Sequence, residues 1–135
     1  MRRINLFVFT ALLALLLASC SSVNEVEKLK AEVMEVHDEV MPEMGNLMNL
    51  KKQLKDKIAY PDSIGGSAEE LDRLIHNLEA ADESMMEWMR NYKDPSPEMS
   101  EEEALKYLQN KMESIREVKQ KINSSKAAAE AVLNQ

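Results

Sequence analysis

Apolar residues recur in steps of three and four along three long stretches of the chain. The first stretch covers residues 23–58, the second 67–93 and the third 97–133. Steps of three and four place apolar side chains on one face of an α-helix, as in bundles and coiled coils. The pattern therefore predicts three amphipathic helices.

The short segments between these stretches carry turn and capping signals. Residues 60–66 contain one proline and two glycines, which favour a turn. Both Ser67 and Ser100 are followed three residues later by glutamate, the spacing of a capping box. The third helix is therefore expected to begin at Ser96-Pro97 or at Ser100. Because short connections make consecutive helices antiparallel neighbours, the sequence predicts an all-α, antiparallel three-helix bundle.

The first predicted helix carries two adjacent apolar stripes and one proline. An aliphatic stripe of valines and leucines predicts the core face. Pro42 falls on the opposite, polar side, where we expect it to kink the helix. In the third helix, we expect the alanine-rich end from Ser124 onward to fray. The second stripe of the first helix widens the predicted buried face and consists of Met34, His37, Met41, Met44 and Met48.

The first 20 residues are organised like a bacterial lipoprotein signal. Arg2 and Arg3 precede an apolar run, and the run ends in Leu17-Ala18-Ser19-Cys20, which resembles a lipobox. The run is shorter than the roughly 20 residues that a membrane-spanning helix needs, so an uncleaved anchor is the less favoured alternative. The resemblance implies cleavage before Cys20, attachment of a diacylglycerol to its thiol and acylation of its new amine.

This signal divides the chain into three predicted parts. Residues 1–19 form a cleaved signal peptide, residues 20–24 a lipidated tether, and residues 25–135 the helical bundle. The predicted location is the cell envelope, and Ser21 after Cys20 favours the outer membrane. Since lipidation uses the only cysteine, no disulfide, thiolate nucleophile or cysteine metal site is expected.

The chain is acidic, with 17 basic and 24 acidic residues and a formal charge of −7. Removal of Arg2 and Arg3 with the signal peptide leaves 15 basic against 24 acidic residues, or −9. Such a surface repels nucleic acid and anionic lipid headgroups. Nucleic-acid binding is therefore excluded from the predicted functions.

The antiparallel arrangement brings one group of distinctive side chains together. The predicted register places His37 level with Trp88, so the second stripe faces the methionines around Trp88. Core packing is the favoured interpretation, because methionine fills gaps well and packs against aromatic rings. The alternative is a soft-metal site, because thioethers and imidazole select Cu(I). Its candidate ligands for Cu(I) or Ag(I) are His37, Met41, Met44, Met85 and Met89.

The remaining polar residues favour structural roles. Asp82 lies within the apolar face of the second helix and is expected to reach water or Lys111. His76 falls on the polar face and is expected to be solvated. The acidic run 101–103 is typical of a helix start. Since no nucleophile elbow accompanies any Ser, His and Asp set, we do not predict an enzyme.

Two methionine-rich segments resemble a group of small lipoproteins from Bacteroidota-type bacteria. The first contains His37-Asp38-Glu39-Val40-Met41-Pro42-Glu43-Met44 and continues to Leu54, and the second is Ala81-Asp82-Glu83-Ser84-Met85-Met86-Glu87-Trp88-Met89. The group is sometimes labelled after a viral A-type inclusion protein, a name that reflects coiled-coil similarity. The resemblance implies an envelope lipoprotein and brings no catalytic or binding residues with it.

The leading prediction is a non-enzymatic, membrane-anchored helical bundle without a cofactor. Its expected partners are the membrane, through the lipid, and another envelope protein or a second copy of the chain. An apolar stripe left exposed on the first or third helix would favour such a partner. The alternative prediction is the copper or silver site described above.

Overall fold

A computed structural model describes residues 25–60 and 67–134 of the chain. Three helices of the chain pack against one another, and the described residues contain no strand. The predicted all-α bundle is therefore confirmed. None of the described helices contains an apolar stretch long enough to cross a membrane. The helices are α1 over residues 25–40, α2 over Glu43–Ala59, α3 over Ala68–Asn91 and α4 over Glu101–Leu133.

The helix predicted over residues 23–58 is divided at Met41 and Pro42 into α1 and α2. Proline has no N–H to donate, and its ring clashes with the carbonyl four residues earlier. The backbone of Pro42 nevertheless stays helical, with φ −60° and ψ −27°. The N–H of Met41 also still donates to the carbonyl of His37 at 3.0 Å. The prediction of one continuous helix is therefore wrong. The interruption lies at Pro42, the position at which the sequence predicts a kink.

Serine caps begin α3 and α4. Ser67 Oγ accepts from the N–H of Glu70 at 3.2 Å. At α4 the capping box is complete, because Ser100 Oγ accepts from the N–H of Glu103 at 3.3 Å and Glu103 Oε2 accepts from the N–H of Ser100 at 2.9 Å. The predicted start at Ser100 is the observed one.

Two predicted helix ends differ from the structure. Residues 92–100 form the connection between α3 and α4, so extending α3 to residue 93 and beginning α4 at residue 97 were both wrong. The N–H of Met99 donates to the carbonyl of Ser96 at 3.0 Å, which closes a tight turn there. The expected fraying of α4 is also wrong. Ala129 and Val132 are buried, and their packing holds the last turns of the helix.

A single core runs the length of the bundle and follows the predicted aliphatic seams. The second stripe of the first predicted helix is less buried than expected, and Met48 is 64% exposed. The buried face of α2 is therefore narrower than its composition suggests. The largest fully buried side chains come from every helix and are Val33, Leu47, Leu54, Leu78, Met85, Leu108, Ile115 and Ile122.

Ion pairs between helices show that α4 runs parallel to α1 and α2. Lys119 Nζ donates to Glu39 Oε2 at 2.6 Å, and Lys126 Nζ donates to Glu43 Oε2 at 2.6 Å. Residue numbers thus rise together along these two sides of the bundle. The observed topology is the predicted up-down-up arrangement, with the first arm interrupted at Met41 and Pro42.

Replacing Ser100 by alanine is expected to lower the free energy of unfolding by about 1 kcal/mol, because the N–H of Glu103 loses its acceptor. Urea denaturation followed by circular dichroism measures the change. The control is Ser124→Ala at an exposed position of α4. Alanine is the better helix former there, so this variant should be as stable as the parent or slightly more stable. Equal losses in both variants would contradict a capping role.

Acid is expected to remove the stabilising effect of the Glu43 carboxylate. Lys126, and then Asn46, donate to this group and lower its pKa below the ordinary value of 4.5. Because the folded pKa is below the unfolded one, the contribution is present above about pH 4.5 and is lost as pH falls through the lowered pKa. Glu43→Gln should therefore lower the melting temperature at neutral pH.

The difference in melting temperature between the Glu43→Gln variant and the parent should disappear in acid. Thermal denaturation across a pH series measures it. The control is Glu117→Gln at an exposed position of α4, which should give a small difference at every pH. A Glu43→Gln effect that persists unchanged in strong acid would show that the ion pair is not its source.

Candidate functional site

Trp88 is the central side chain of the predicted histidine–methionine region. It belongs to α3, is 7% exposed and contacts α1 and α4. Its ring stacks on that of His37, with centroids 5.7 Å apart and planes at 26°, and on that of Tyr92 at 4.9 Å and 20°. Trp88 Nε1 donates to Ser114 Oγ on α4 at 3.1 Å. The stacking agrees with the register that places His37 level with Trp88.

His37 lies at the outer end of this stack. Its side chain is 16% exposed, and its Nδ1 lies 2.9 Å from Oδ1 of the exposed Asp38. This contact and the stacking on Trp88 together fix the orientation of the imidazole ring. They leave Nε2 as the ring nitrogen that would meet a metal ion.

The candidate methionines lie at different depths. Met85 is fully buried in the core, whereas Met41, Met44 and Met89 pack against the core from its margin and are only partly buried. Met86, which is not among the predicted ligands, is 41% exposed. The methionines of α3 therefore face two environments, the core and an accessible edge.

Lysine–glutamate contacts define which side chains meet across the edge between α2 and α3. Lys51 Nζ and Lys55 Nζ lie 3.6 Å and 3.8 Å from Glu79 Oε1. Long helical side chains lean toward the N-terminus of their own helix. In antiparallel helices the leaning side chains approach each other, so contacting residues are displaced from those whose backbones are level.

Methionines occupy the equivalent positions one heptad further along this edge. Seven residues before Lys51 and Lys55 are Met44 and Met48, and seven residues after Glu79 is Met86. Antiparallel packing repeats with each heptad, so we expect Met44 and Met48 to flank Met86 as the two lysines flank the glutamate. We call this surface the methionine seam. It comprises Met41, Met44, Met48, Met86 and Met89.

The predicted register sets Met86 opposite the second stripe, but Met86 is not among the predicted ligands, although the sequence carries a signal for it. Met86 and Met89 are three residues apart, as are Met41 and Met44, so each pair lies on one side of its helix. Matching backbone heights does not separate Met85 from Met86. The lean of the side chains and the full burial of Met85 favour Met86.

A polar network closes the end of the bundle where α1 begins. Lys30 Nζ donates to Asp94 Oδ2 at 2.8 Å, which raises the pKa of Lys30, and Tyr107 Oη donates to the carbonyl of Lys93 at 2.8 Å. Burial, followed by the charge of Asp94, raises the pKa of Tyr92. These contacts fix the connection 92–100 against α1 and α4.

A cleft of about 650 Å³ lies beside this polar network. Its apolar lining comes from the start of α1, the connection between α3 and α4, and the first turn of α4. The apolar lining residues are Val26, Pro95, Pro97, Met99 and Ala104.

The other singled-out polar residues take structural or solvent positions. Lys111 Nζ donates to the carbonyl of Asn91 at 3.0 Å, so of the two partners predicted for Asp82, water or Lys111, the second is wrong. The α3–α4 register sets Lys111 beside Asn91, which lies about 13 Å further along the helix than Asp82. His76 is exposed, as predicted. In residues 25–60 and 67–134, no three His, Cys, Asp or Glu side chains converge as a metal-binding group.

Trp88→Ala is expected to lower the free energy of unfolding by about 3–5 kcal/mol, because it removes the side chain that joins three helices. Chemical denaturation followed by far-UV circular dichroism measures the loss. The control is Met48→Ala at an exposed position, which should change stability by less than about 0.5 kcal/mol. A loss for Trp88→Ala no larger than this control would show that the helices hold together without the stack.

No family model, curated protein or solved structure matches this chain.

Proposed function

We propose that this protein is a lipid-anchored, non-enzymatic helical bundle of the bacterial cell envelope that docks a partner through the methionine seam. The observation that carries the proposal is the exposure of Met48 and Met86, at 64% and 41%, on the same edge of α2 and α3. The aliphatic seams are buried inside the bundle. Met48 and Met86 therefore provide apolar surface that folding leaves exposed.

The methionine seam fits an amphipathic helix of another envelope protein. Methionine is flexible and polarisable and is used frequently at binding surfaces that adapt to helical ligands. The seam continues into the charged group formed by Lys51, Lys55 and Glu79, which supplies a polar rim. Because the exposed apolar area is small, we expect a weak or transient contact rather than a permanent assembly.

The lipid anchor rests on the lipobox and on the position of α1. Cys20 lies outside the described residues and only five positions before the start of α1. A tether of this length keeps the bundle close to the membrane. The end that holds the cleft and the Lys30–Asp94 pair would then face the lipid, with the methionine seam on the flank of the bundle.

Crosslinking in cells tests the docking surface. A photoreactive amino acid at position 48 or 86 of the full chain is expected to give one discrete crosslinked product, identified by mass spectrometry. The matched control places the same group at the exposed position 117 of α4, where no discrete product is expected. Adding Met86→Glu to the chain labelled at position 48 should remove the product, because a carboxylate opposes apolar contact.

The Cys20→Ser variant separates docking from anchoring. This substitution should abolish metabolic labelling with palmitate. The same variant with the photoreactive amino acid at position 48 should still crosslink when its partner is supplied in detergent extract. A product that contains only this chain would identify a second copy as the occupant. Equal products from positions 48 and 117 would contradict docking through the seam.

A further inference from the structure

We propose that Met41, Met44, Met86 and Met89 form a binding site for a soft monovalent cation, Cu(I) or Ag(I). Thioether sulfur is a soft ligand that selects such ions over Zn²⁺, Mg²⁺ or Ca²⁺. We call these four residues the methionine quartet. This proposal does not depend on partner docking, since it concerns the isolated chain.

The kink at Pro42 brings the first pair of sulfur ligands together. The N–H of Met44 donates to the carbonyl of Met41 at 3.2 Å, a bond between residues three apart. In backbone bonded this way, side chains three apart eclipse each other. Met41 and Met44 therefore project from the same side of the first arm.

The second pair lies opposite on α3. Met86 and Met89 are also three residues apart, and residues at this spacing are neighbours on a helix surface. The heptad repeat from the Lys51–Glu79 contact sets Met44 across from Met86. Met41 lies three residues before Met44, and Met89 lies three residues after Met86. Because the helices are antiparallel, these steps run in the same direction along the bundle and set Met41 across from Met89. The two pairs thus form the four corners of one small surface.

The burial of the quartet suits a site that a cation can reach. Met41, Met44 and Met89 pack against the core, which restricts their side chains, while Met86 is open to solvent. Met85 is fully buried, so its sulfur would reach an ion only if the core opened. The site therefore takes Met41, Met44 and Met89 from the sequence-predicted ligands and adds Met86.

Charge at the same edge favours a cation. Asp82 precedes Met86 by four residues, a spacing that places both side chains on the same face of α3. It is half-buried, which explains how an acidic residue falls inside an otherwise apolar pattern. Its carboxylate would offset the positive charge of an ion that neutral thioethers cannot balance.

Methyl NMR tests the quartet directly. The full chain carrying Cys20→Ser, which removes the only thiol, is labelled with ¹³C at the methionine methyl groups and titrated with Ag(I) in detergent micelles. Of the ten methionines, those of the quartet are expected to shift together and to saturate at a single equivalent. Shifts confined to Met48 and Met99, shifts of Met85 without Met86, or no shift would overturn the proposal.

Leucine variants provide the affinity test. Met86→Leu together with Met89→Leu keeps the apolar volume and removes two sulfurs. The matched control is Met34→Leu together with Met99→Leu, one half-buried and one exposed methionine outside the methionine seam. In Cu(I) competition against a colorimetric chelator, the quartet variant should lose at least the roughly tenfold affinity typical of changes around a metal site. The control should match the parent. Equal affinities for quartet and control variants, with both chains folded by circular dichroism, would overturn the proposal.

Discussion

The stack of Trp88 on His37 and Tyr92 joins α1 to α3 and, together with the buried Val33 and Val40, sets the position of α1. Pro42 interrupts the helix that would otherwise hold α1 in line with α2, so tertiary contacts must set its place. Exposed ion pairs such as Lys30–Asp94 contribute little to stability on their own. The indole, by contrast, buries a large apolar area, stacks on two rings and donates to Ser114.

The proline kink and the indole stack have linked consequences for the surface. The kink forms the short turn that aligns Met41 with Met44, and the stack holds the preceding helix against α3. Together they keep the methionines of the first arm beside those of α3.

The sequence allowed the bundle, its seams and its caps to be predicted, because each depends on local pattern. Ser100 and Glu103 illustrate this, since their spacing alone specifies the capping box that the structure contains. Other features depend on how helices meet and are not encoded locally. Lys111 contacts Asn91 and not Asp82, and Ala129 is buried. Both follow from the packing of α3 against α4.

The same difference between local pattern and packing between helices explains why only part of the candidate site was predicted. His37 and Trp88 are large enough for a level register to bring their rings together. Methionine side chains are long and lean along their helices, so level backbones do not identify which sulfurs meet. The choice between Met85 and Met86 depends on this lean and on burial, neither of which periodicity alone reveals.

The chemistry of methionine explains how one edge can serve two proposed purposes without conflict. Leucine at these positions would suit the core, and a polar residue would suit the solvent, but neither offers a flexible apolar chain with a soft sulfur ligand. Docking draws chiefly on the exposed Met48 and Met86, while cation binding draws on the three half-buried methionines with Met86. Since the whole quartet lies within the methionine seam and Met86 is its exposed member, a bound cation would order one side of the docking surface and leave Met48 available to the partner.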